Sequence, residues 1–181
     1  MDTPFDDVLT ANARYAETFV DPGRPGIAGK GLAVLTCMDS RIDPLGLLGL
    51  EKGDAKILRN AGARVTDDVL RTLVLASYLL GVDRVLVLGH SDCGMTKNSD
   101  RDVHEKVAAR GIDARSIEFR TIADQRATLL ADVQKVRSWP FLPPETPVAG
   151  GIYDVRTGRI DLVCDHDQPA TELDLARPEA G

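Results

Sequence analysis

The sequence predicts an α/β fold, with a mostly parallel central sheet flanked by helices and an antiparallel edge strand. Three short apolar runs, at residues 32–36, 55–59 and 84–89, are typical of strands buried on both faces. A helical pattern separates the second run from the third, and strands that alternate with helices favour parallel pairing. A later hairpin pattern supplies the antiparallel edge.

The N-terminal segment is predicted to form a helical arm. Apolar side chains recur at broadly helical spacing over residues 6–20. The stretch "DPGRPGIAGKG" that follows is rich in glycine and proline, which is typical of a loop. We therefore interpret residues 1–30 as an arm and a loop that precede the first strand.

The helical pattern between the second and third strands reads "TDDVLRTLVLASYLLG". Thr66 is placed to cap its N-terminus, and Gly81 lies where a C-terminal cap belongs. The acidic Asp67 and Asp68 suit the first turn. Because the segment is apolar on most sides, we expect a buried helix that packs against the core or against a partner subunit.

The second half of the chain predicts one more long helix and a hairpin. The helix is expected over residues 118–137, where apolar side chains form one stripe and Pro140 follows the end. The stretch "GIYDVRTGRIDLV" predicts a hairpin with Gly158 in its turn. Residues 165–181 are polar and are expected to form a loose tail, and residues 1–181 as a whole are expected to form a single domain.

Composition narrows the classes of function. The net charge is −6 and no long basic cluster occurs, which disfavours a nucleic-acid partner. No stretch approaches the length of a membrane span, and the acidic N-terminus lacks the pattern of a signal peptide. No glycine-rich nucleotide fingerprint is present. Three cysteines, an odd and small number, favour a reduced cytoplasmic protein whose cysteines act as ligands or nucleophiles.

The three predicted strands end in "CMDSR", "NAG" and "HSDCG", which are polar or glycine-rich. Ligands of open parallel sheets collect at the carboxyl ends of the strands. If the first and third strands are neighbours, Cys37 and His90 meet there, and Cys93 lies one short turn further on. Two thiolates and one imidazole suit Zn²⁺ and leave a fourth place for water or substrate. The alternative is that the cysteines are simply small buried apolar residues.

The charged residues beside Cys37 extend this hypothesis. Asp39 should lie close to the metal position, where an unpaired carboxylate would compete for the open place. Arg41 can hold that carboxylate by a bidentate contact and keep it ionised, so that it can orient the attacking oxygen. The alternative is an ordinary surface ion pair of little energetic consequence.

Other titratable residues are weaker candidates. Cys164 and His166 could supply a fourth ligand, but their place at the end of the last strand favours an uninvolved thiol and a solvated imidazole. His104 lies in a charged stretch and is expected to be solvated.

The paired motifs "CMDSR" and "HSDC", with "RNAG" between them, resemble the β-class carbonic anhydrase family over about residues 6–163. The resemblance implies Cys37, His90 and Cys93 as zinc ligands and Asp39 and Arg41 as the catalytic dyad. It also implies a substrate pocket, a helical arm that packs on a neighbouring subunit, and a homodimer or tetramer. The implied pocket residues are Ala61, Gly62 and Gly94.

The family resemblance implies reversible hydration of carbon dioxide to bicarbonate and a proton by zinc-bound hydroxide, the activity of a carbonate dehydratase, which is a lyase. The "DCGM" form, with Met95, looks more like a compact bacterial subgroup. Some relatives of this subgroup hydrolyse carbonyl sulfide or carbon disulfide, so that reaction is an alternative. An alternative of another class is a non-catalytic zinc module, closed by Asp39 or Cys164 as the fourth ligand.

Overall fold

A computed structural model describes residues 3–166 of the chain. Its centre is a five-stranded sheet with the strand order β2-β1-β3-β4-β5. The first four strands pair in parallel and β5 runs antiparallel to β4, which confirms the predicted α/β fold. The strands are β1 (Leu32–Cys37), β2 (Ala55–Asn60), β3 (Arg84–His90), β4 (Val148–Tyr153) and β5 (Ile160–Cys164).

Helices connect and flank the strands. They are α1 (Asp6–Thr18), α2 (Pro44–Leu47), α3 (Asp67–Leu79), α4 (Asp100–Ala108) and α5 (Gln125–Arg137), with single 3₁₀ turns at Ala61–Ala63 and Gly94–Thr96. None of these helices is long and apolar enough to cross a membrane. Residues 167–181, most of the predicted tail, lie outside the described residues, and the expectation of a single domain stays a prediction.

The core joins one side of the sheet to α3 and α5. Leu35 of β1 and Val87 of β3 belong to one buried cluster with Leu73 of α3 and Val133 of α5. Burial of such side chains stabilises each by about 1.5–3 kcal/mol relative to exposure. This packing fixes β1 and β3, the two strands whose ends carry the predicted ligands.

Two predicted caps and one predicted turn are present. The Thr66 hydroxyl accepts a hydrogen bond from the N–H of Val69, at 3.4 Å, at the start of α3. Gly81 follows that helix with φ +70°, and Gly158 has φ +74° between β4 and β5. Both glycines adopt left-handed backbone, which side chains with a Cβ disfavour.

The helix predicted over 118–137 begins only at Gln125, so the prediction was wrong for its first turns. Arg120 has φ +57°, a conformation that no α-helix contains. The carboxylate of Asp100 holds this segment by accepting hydrogen bonds from the N–H groups of Phe119, Arg120 and Thr121. Asp124 then caps α5 through the N–H of Ala127.

Helix α4 was not predicted, although a local signal was present. Ser99 and Asp102 form a capping box, with side chain and backbone bonded in both directions. As a result, His104 lies on an ordered helix with its ring 5.0 Å from that of Phe119, and its Nδ1 is buried. The expectation of a solvated His104 was therefore wrong.

Candidate metal centre

The adjacent parallel strands β1 and β3 bring Cys37 and His90 to one edge of the sheet. Thr36 lies opposite Leu88 in the register, and its hydroxyl donates to the Leu88 carbonyl at 3.0 Å. Each predicted ligand is the last residue of its strand, and Cys93 follows in the next turn. The first and third predicted strands are therefore neighbours, as the predicted metal site requires.

The side chains of Cys37, His90 and Cys93 converge within this edge. All three residues are buried, and their ligand atoms lie within 4.8 Å of one another. Among the residues that the structure describes, these three form the group with the spacing of a metal site. The two Sγ atoms are 4.0 Å apart. Two sulfurs bonded to one tetrahedral zinc at about 2.3 Å would be about 3.8 Å apart, so the donor set fits Zn²⁺.

His90 presents one ring nitrogen without a hydrogen-bond partner. Its Nδ1 lies 2.9 Å from the carbonyl oxygen of Ser91, and a proton on Nδ1 would be donated to that oxygen. Nε2 is buried and has no hydrogen-bond partner. A buried nitrogen lone pair without a partner is costly, and a metal ion at this point would satisfy it.

The environment of the two thiols favours a single negative charge until a cation binds. The pKa of Cys37 is lowered because its thiolate accepts hydrogen bonds from the Cys93 thiol and from the N–H of Gly62. The pKa of Cys93 is raised because its thiol donates a hydrogen bond to the Cys37 thiolate, because burial disfavours the charged form, and because a second thiolate would stand beside the first. A divalent cation would remove this conflict, since metal binding stabilises thiolates.

Asp39 and Arg41 form the bidentate pair that the sequence predicted. Arg41 donates from Nε to Oδ1 at 2.9 Å and from Nη2 to Oδ2 at 2.7 Å. These hydrogen bonds hold the pKa of Asp39 well below its usual range. Oδ2 of Asp39 lies 3.9 Å from Nε2 of His90, so the ionised carboxylate stands beside the candidate ligand nitrogen of His90.

Arg59 of "RNAG" supports the same loop, a role that the sequence analysis missed. Its Nε donates to the carbonyl of Cys37 at 3.0 Å and its Nη2 to the carbonyl of Asp39 at 2.7 Å. The signal for it was a charged residue near the end of an apolar strand that neighbours the strand of Cys37. Arg59 thereby fixes the backbone on both sides of Met38.

The predicted pocket residues occupy different environments. Gly62 is buried, and a Cβ there would lie 3.0 Å from Cδ1 of Ile122 and 3.2 Å from Cγ of Met95. Ala61 is half-buried beside it. Gly94 is exposed, and a Cβ there would meet no atom within 4 Å, so crowding does not account for this glycine. Ile122 lies inside the range predicted as a helix over 118–137, but in the structure it precedes α5 and approaches Gly62 together with Met95.

The two weaker candidates lie away from the cluster. Cys164 ends β5 and is buried in the main core, where its Sγ would lie 3.0 Å from a Cβ at Gly150. His166 is exposed. Among the described residues, neither belongs to the group with the spacing of a metal site.

The fold and the donor set define a class: an α/β protein with a candidate Cys₂His metal centre at the carboxyl edge of a parallel sheet. The family model for carbonic anhydrase matches residues 32–140. Beta-carbonic anhydrase 1 of Mycobacterium bovis is 34% identical over 165 residues, covering 89% of this chain and 98% of the relative. The chain therefore belongs to the β-class carbonic anhydrase family.

Solved structures and more distant relatives agree. A crystal structure of carbonic anhydrase from Streptococcus mutans aligns with a TM-score of 0.85 at 36% identity, covering 91% of this chain and 99% of that one. Carbon disulfide hydrolase of Acidithiobacillus thiooxidans is 27% identical over 150 residues, covering 71% of this chain and 75% of the relative. The family of this chain thus includes carbon disulfide hydrolases among its relatives.

Proposed function

We propose that the protein is a zinc-dependent carbonate dehydratase, a lyase that hydrates carbon dioxide reversibly to bicarbonate and a proton. One observation carries the proposal. A buried, unpartnered Nε2 of His90 and two thiols lie within 4.8 Å of one another, and the ionised carboxylate of Asp39 stands 3.9 Å from that nitrogen. The site thus combines two thiolates and one imidazole with one fixed acceptor, which suits the activation of water.

Cys37, His90 and Cys93 would hold the metal. When bound, zinc supplies the chemistry of water activation, because it lowers the pKa of water to about 7. Asp39 accepts a hydrogen bond from the attacking oxygen. This hydrogen bond orients a lone pair of that oxygen toward the substrate carbon. Arg41 keeps Asp39 ionised and oriented through two parallel hydrogen bonds.

Carbon dioxide is small and apolar, and the surroundings of Gly62 match that character. We assign Ala61, Gly62 and Gly94 to the substrate pocket, with Met95 and Ile122 as its apolar wall. An apolar wall excludes water other than the reacting molecule and leaves the substrate carbon accessible. The exposed side of Gly94 leaves room for bicarbonate and the proton to depart.

The central experiment combines metal analysis with stopped-flow hydration. We expect about one zinc per chain and a carbon dioxide hydration rate near pH 8 that rises with zinc content. Asp39→Ala should lose most of the activity and retain zinc, since Asp39 is not a ligand. Zinc-loaded protein that does not accelerate hydration would overturn the proposal.

Hydrolysis of carbonyl sulfide or carbon disulfide is the second candidate reaction. The observation that favours it is the likeness to a protein named carbon disulfide hydrolase, together with the apolar wall of Met95 and Ile122. Both substrates are linear and apolar like carbon dioxide. Turnover of carbon dioxide and of carbonyl sulfide, measured on one preparation, separates the two reactions.

A non-catalytic zinc module would need a fourth protein ligand. Cys164 lies in the main core instead of the cluster, and Arg41 holds Asp39 by two hydrogen bonds. Both positions favour an open fourth place. Under the non-catalytic alternative, Asp39→Ala would lose zinc, whereas the enzyme proposal expects zinc to remain.

We further propose a cytoplasmic homodimer or tetramer. No residue of α1 is buried, although its apolar side chains include Val8 and Leu9. On α3, Tyr78 and Leu79 are 64% and 68% exposed. A second copy that covered both faces would remove this apolar surface from water. Light scattering should therefore show an oligomer that Leu79→Glu weakens.

A further inference from the structure

Asp92 lies between two of the proposed zinc ligands, in the turn from His90 to Cys93. Its backbone is left-handed, with φ +56°. Its carboxylate accepts hydrogen bonds from Nη1 of Arg41 at 2.8 Å and from Nζ of Lys97 at 2.6 Å. Its carbonyl oxygen accepts a further hydrogen bond from Nη2 of Arg41 at 3.1 Å. Asp92 therefore connects the ligand turn to the guanidinium that holds Asp39.

The chain contains a second Asp-x-Arg pair that shows what Asp92 adds. Arg115 donates to Asp113 from its N–H, from Nε at 3.0 Å and from Nη2 at 2.7 Å. The same three donors of Arg41 reach Asp39, the side-chain ones at 2.9 and 2.7 Å. The side chains of Asp113 and Arg115 are 61% and 88% exposed. Because an exposed pair forms the same contacts, the Asp-x-Arg spacing is by itself enough to bring the two side chains together.

Local geometry alone does not fix the pair relative to the ligands. Arg41 has a flexible side chain that is 45% exposed, while the Asp39 carboxylate is 17% exposed and faces His90. The guanidinium has a third nitrogen, Nη1, and this nitrogen binds Asp92. With Nε and Nη2 on Asp39 and Nη1 on Asp92, the planar group has one orientation that satisfies all its partners.

We propose that Asp92 is a positioning residue that holds Arg41 and thereby keeps Asp39 beside the metal centre and off the metal. Without this hold, Arg41 and Asp39 can move as a pair or separate. A released carboxylate 3.9 Å from Nε2 of His90 can then complete a four-ligand set and exclude the substrate water. The proposal rests on the proposed zinc centre.

The backbone at position 92 restricts which variants are informative. Asparagine and glycine tolerate left-handed φ, whereas most other residues are strained there. Asp92→Asn keeps an acceptor for Arg41 and removes the charge. Asp92→Gly removes the side chain without adding backbone strain. Asp113→Asn is the matched control, because it removes the same charge from the exposed Asp-x-Arg pair.

The test uses zinc enzyme for kinetics and Co²⁺-substituted enzyme for visible spectroscopy. For Asp92→Gly we expect kcat to fall about 10-fold, whereas metal content and KM should not change. The kcat of Asp92→Asn should fall less. The Co²⁺ bands of Asp92→Gly should shift, and added thiocyanate, which needs an open coordination place, should bind about 10-fold more weakly. Asp113→Asn should match the parent in every measurement.

The spectroscopic readout separates this proposal from the proposed function. If the parent does not hydrate carbon dioxide, the function fails, and the Co²⁺ spectra and thiocyanate affinities of the Asp92 variants still decide the role of Asp92. An Asp92→Gly protein with the parent spectrum and parent thiocyanate affinity would overturn the proposal. Loss of metal from both Asp92 variants would also overturn it, because Asp92 would then act on the ligands instead of on Arg41.

Discussion

The backbone N–H of Gly62 donates a hydrogen bond to Sγ of Cys37 at 3.3 Å. Gly62 belongs to the turn that follows β2, and Cys37 ends the neighbouring β1, so this bond crosses between adjacent strand ends. It stabilises the negative charge of the thiolate and is one cause of the lowered pKa of Cys37. The backbone at Gly62 has φ +78°, which is left-handed.

Gly62→Ala should damage the site in two ways. Left-handed backbone costs a residue with a Cβ about 1 kcal/mol, and the new Cβ would crowd Ile122 and Met95. We expect unfolding to become easier by about 2–4 kcal/mol and zinc affinity to fall about 10-fold. Urea denaturation and competition with a chromophoric chelator measure the two effects.

Gly158→Ala is the control for Gly62→Ala. Gly158 has nearly the same φ, +74°, but a Cβ there would meet no atom within 4 Å. The control should lose only about 1 kcal/mol of stability and no zinc affinity. Equal zinc affinities for the two alanine variants would show that the Gly62 contact does not support Cys37.

Gln125 should be important for the position of His90. Its Nε2 donates to the His90 carbonyl at 2.6 Å from the first turn of α5. Gln125→Leu leaves that carbonyl without this donor, at a cost of about 1–3 kcal/mol. We expect zinc affinity to fall about 10-fold as the end of β3 loosens. The exposed Gln134→Leu, on the same helix, should retain parent affinity, and a Gln125→Leu protein with parent affinity would contradict this prediction.

Arg64 and Asp132 form an ion pair at 2.7 Å whose side chains are only 18% and 7% exposed. Arg64→Met would leave the Asp132 carboxylate buried without its cation, which costs about 3–5 kcal/mol. The double variant Arg64→Met/Asp132→Leu should recover most of that loss, because it removes both charges. Urea denaturation of the single and double variants provides the measurement.

The exposed pair of Arg101 and Glu105 is the control for burial. Its nitrogen and oxygen are 2.8 Å apart, and its side chains are 85% and 61% exposed. Arg101→Met should cost less than about 1 kcal/mol. If the double variant at Arg64 and Asp132 were no more stable than Arg64→Met, the unpaired carboxylate would not be the cause of the loss.

The site could be predicted from sequence because its signals are local and the strands that carry them pair in parallel. Apolar runs located β1, β2 and β3 to within a residue, and the last residues of β1 and β3 are two of the three proposed ligands. Parallel pairing then brought Cys37 and His90 together without any knowledge of packing. The Asp39–Arg41 contact could also be predicted from sequence, because the Asp-x-Arg spacing forms it locally, as the Asp113–Arg115 pair also shows.

Residues whose role depends on a distant partner could not be found in the same way. Asp100 stops the extension of α5 by bonding a segment about twenty residues away, so helical periodicity over 118–124 was misleading. Arg59 donates to the backbone carbonyl of Cys37, and Gln125 donates to that of His90. No pattern of side chains in the sequence shows which backbone carbonyl will accept such a hydrogen bond. The proposed role of Asp92 could not be predicted from sequence either, because it depends on the orientation of the Arg41 guanidinium in the folded structure.

Asp100 should make the stability of the folded chain depend on pH in the acid range. Hydrogen bonds from the Thr121 hydroxyl and from the backbone of 119–121 lower the pKa of Asp100 to about 2. An unfolded aspartate has a pKa of about 3.9, so ionised Asp100 stabilises the fold fully above that value, and this contribution is lost as pH falls toward 2. Asp100→Asn should therefore be less stable than the parent near neutral pH.

The difference between parent and Asp100→Asn should shrink as the pH falls from about 4 to about 2, because the parent carboxylate becomes protonated in that window. Thr121→Val removes the donor that contributes most to the lowered pKa, so its pH-dependent loss of stability should be smaller than in the parent and should be complete at a higher pH. Urea denaturation of the metal-free proteins at several pH values gives both curves without interference from zinc release. A difference between parent and Asp100→Asn that stayed constant through this window would show that the charge of Asp100 does not hold the 119–121 segment.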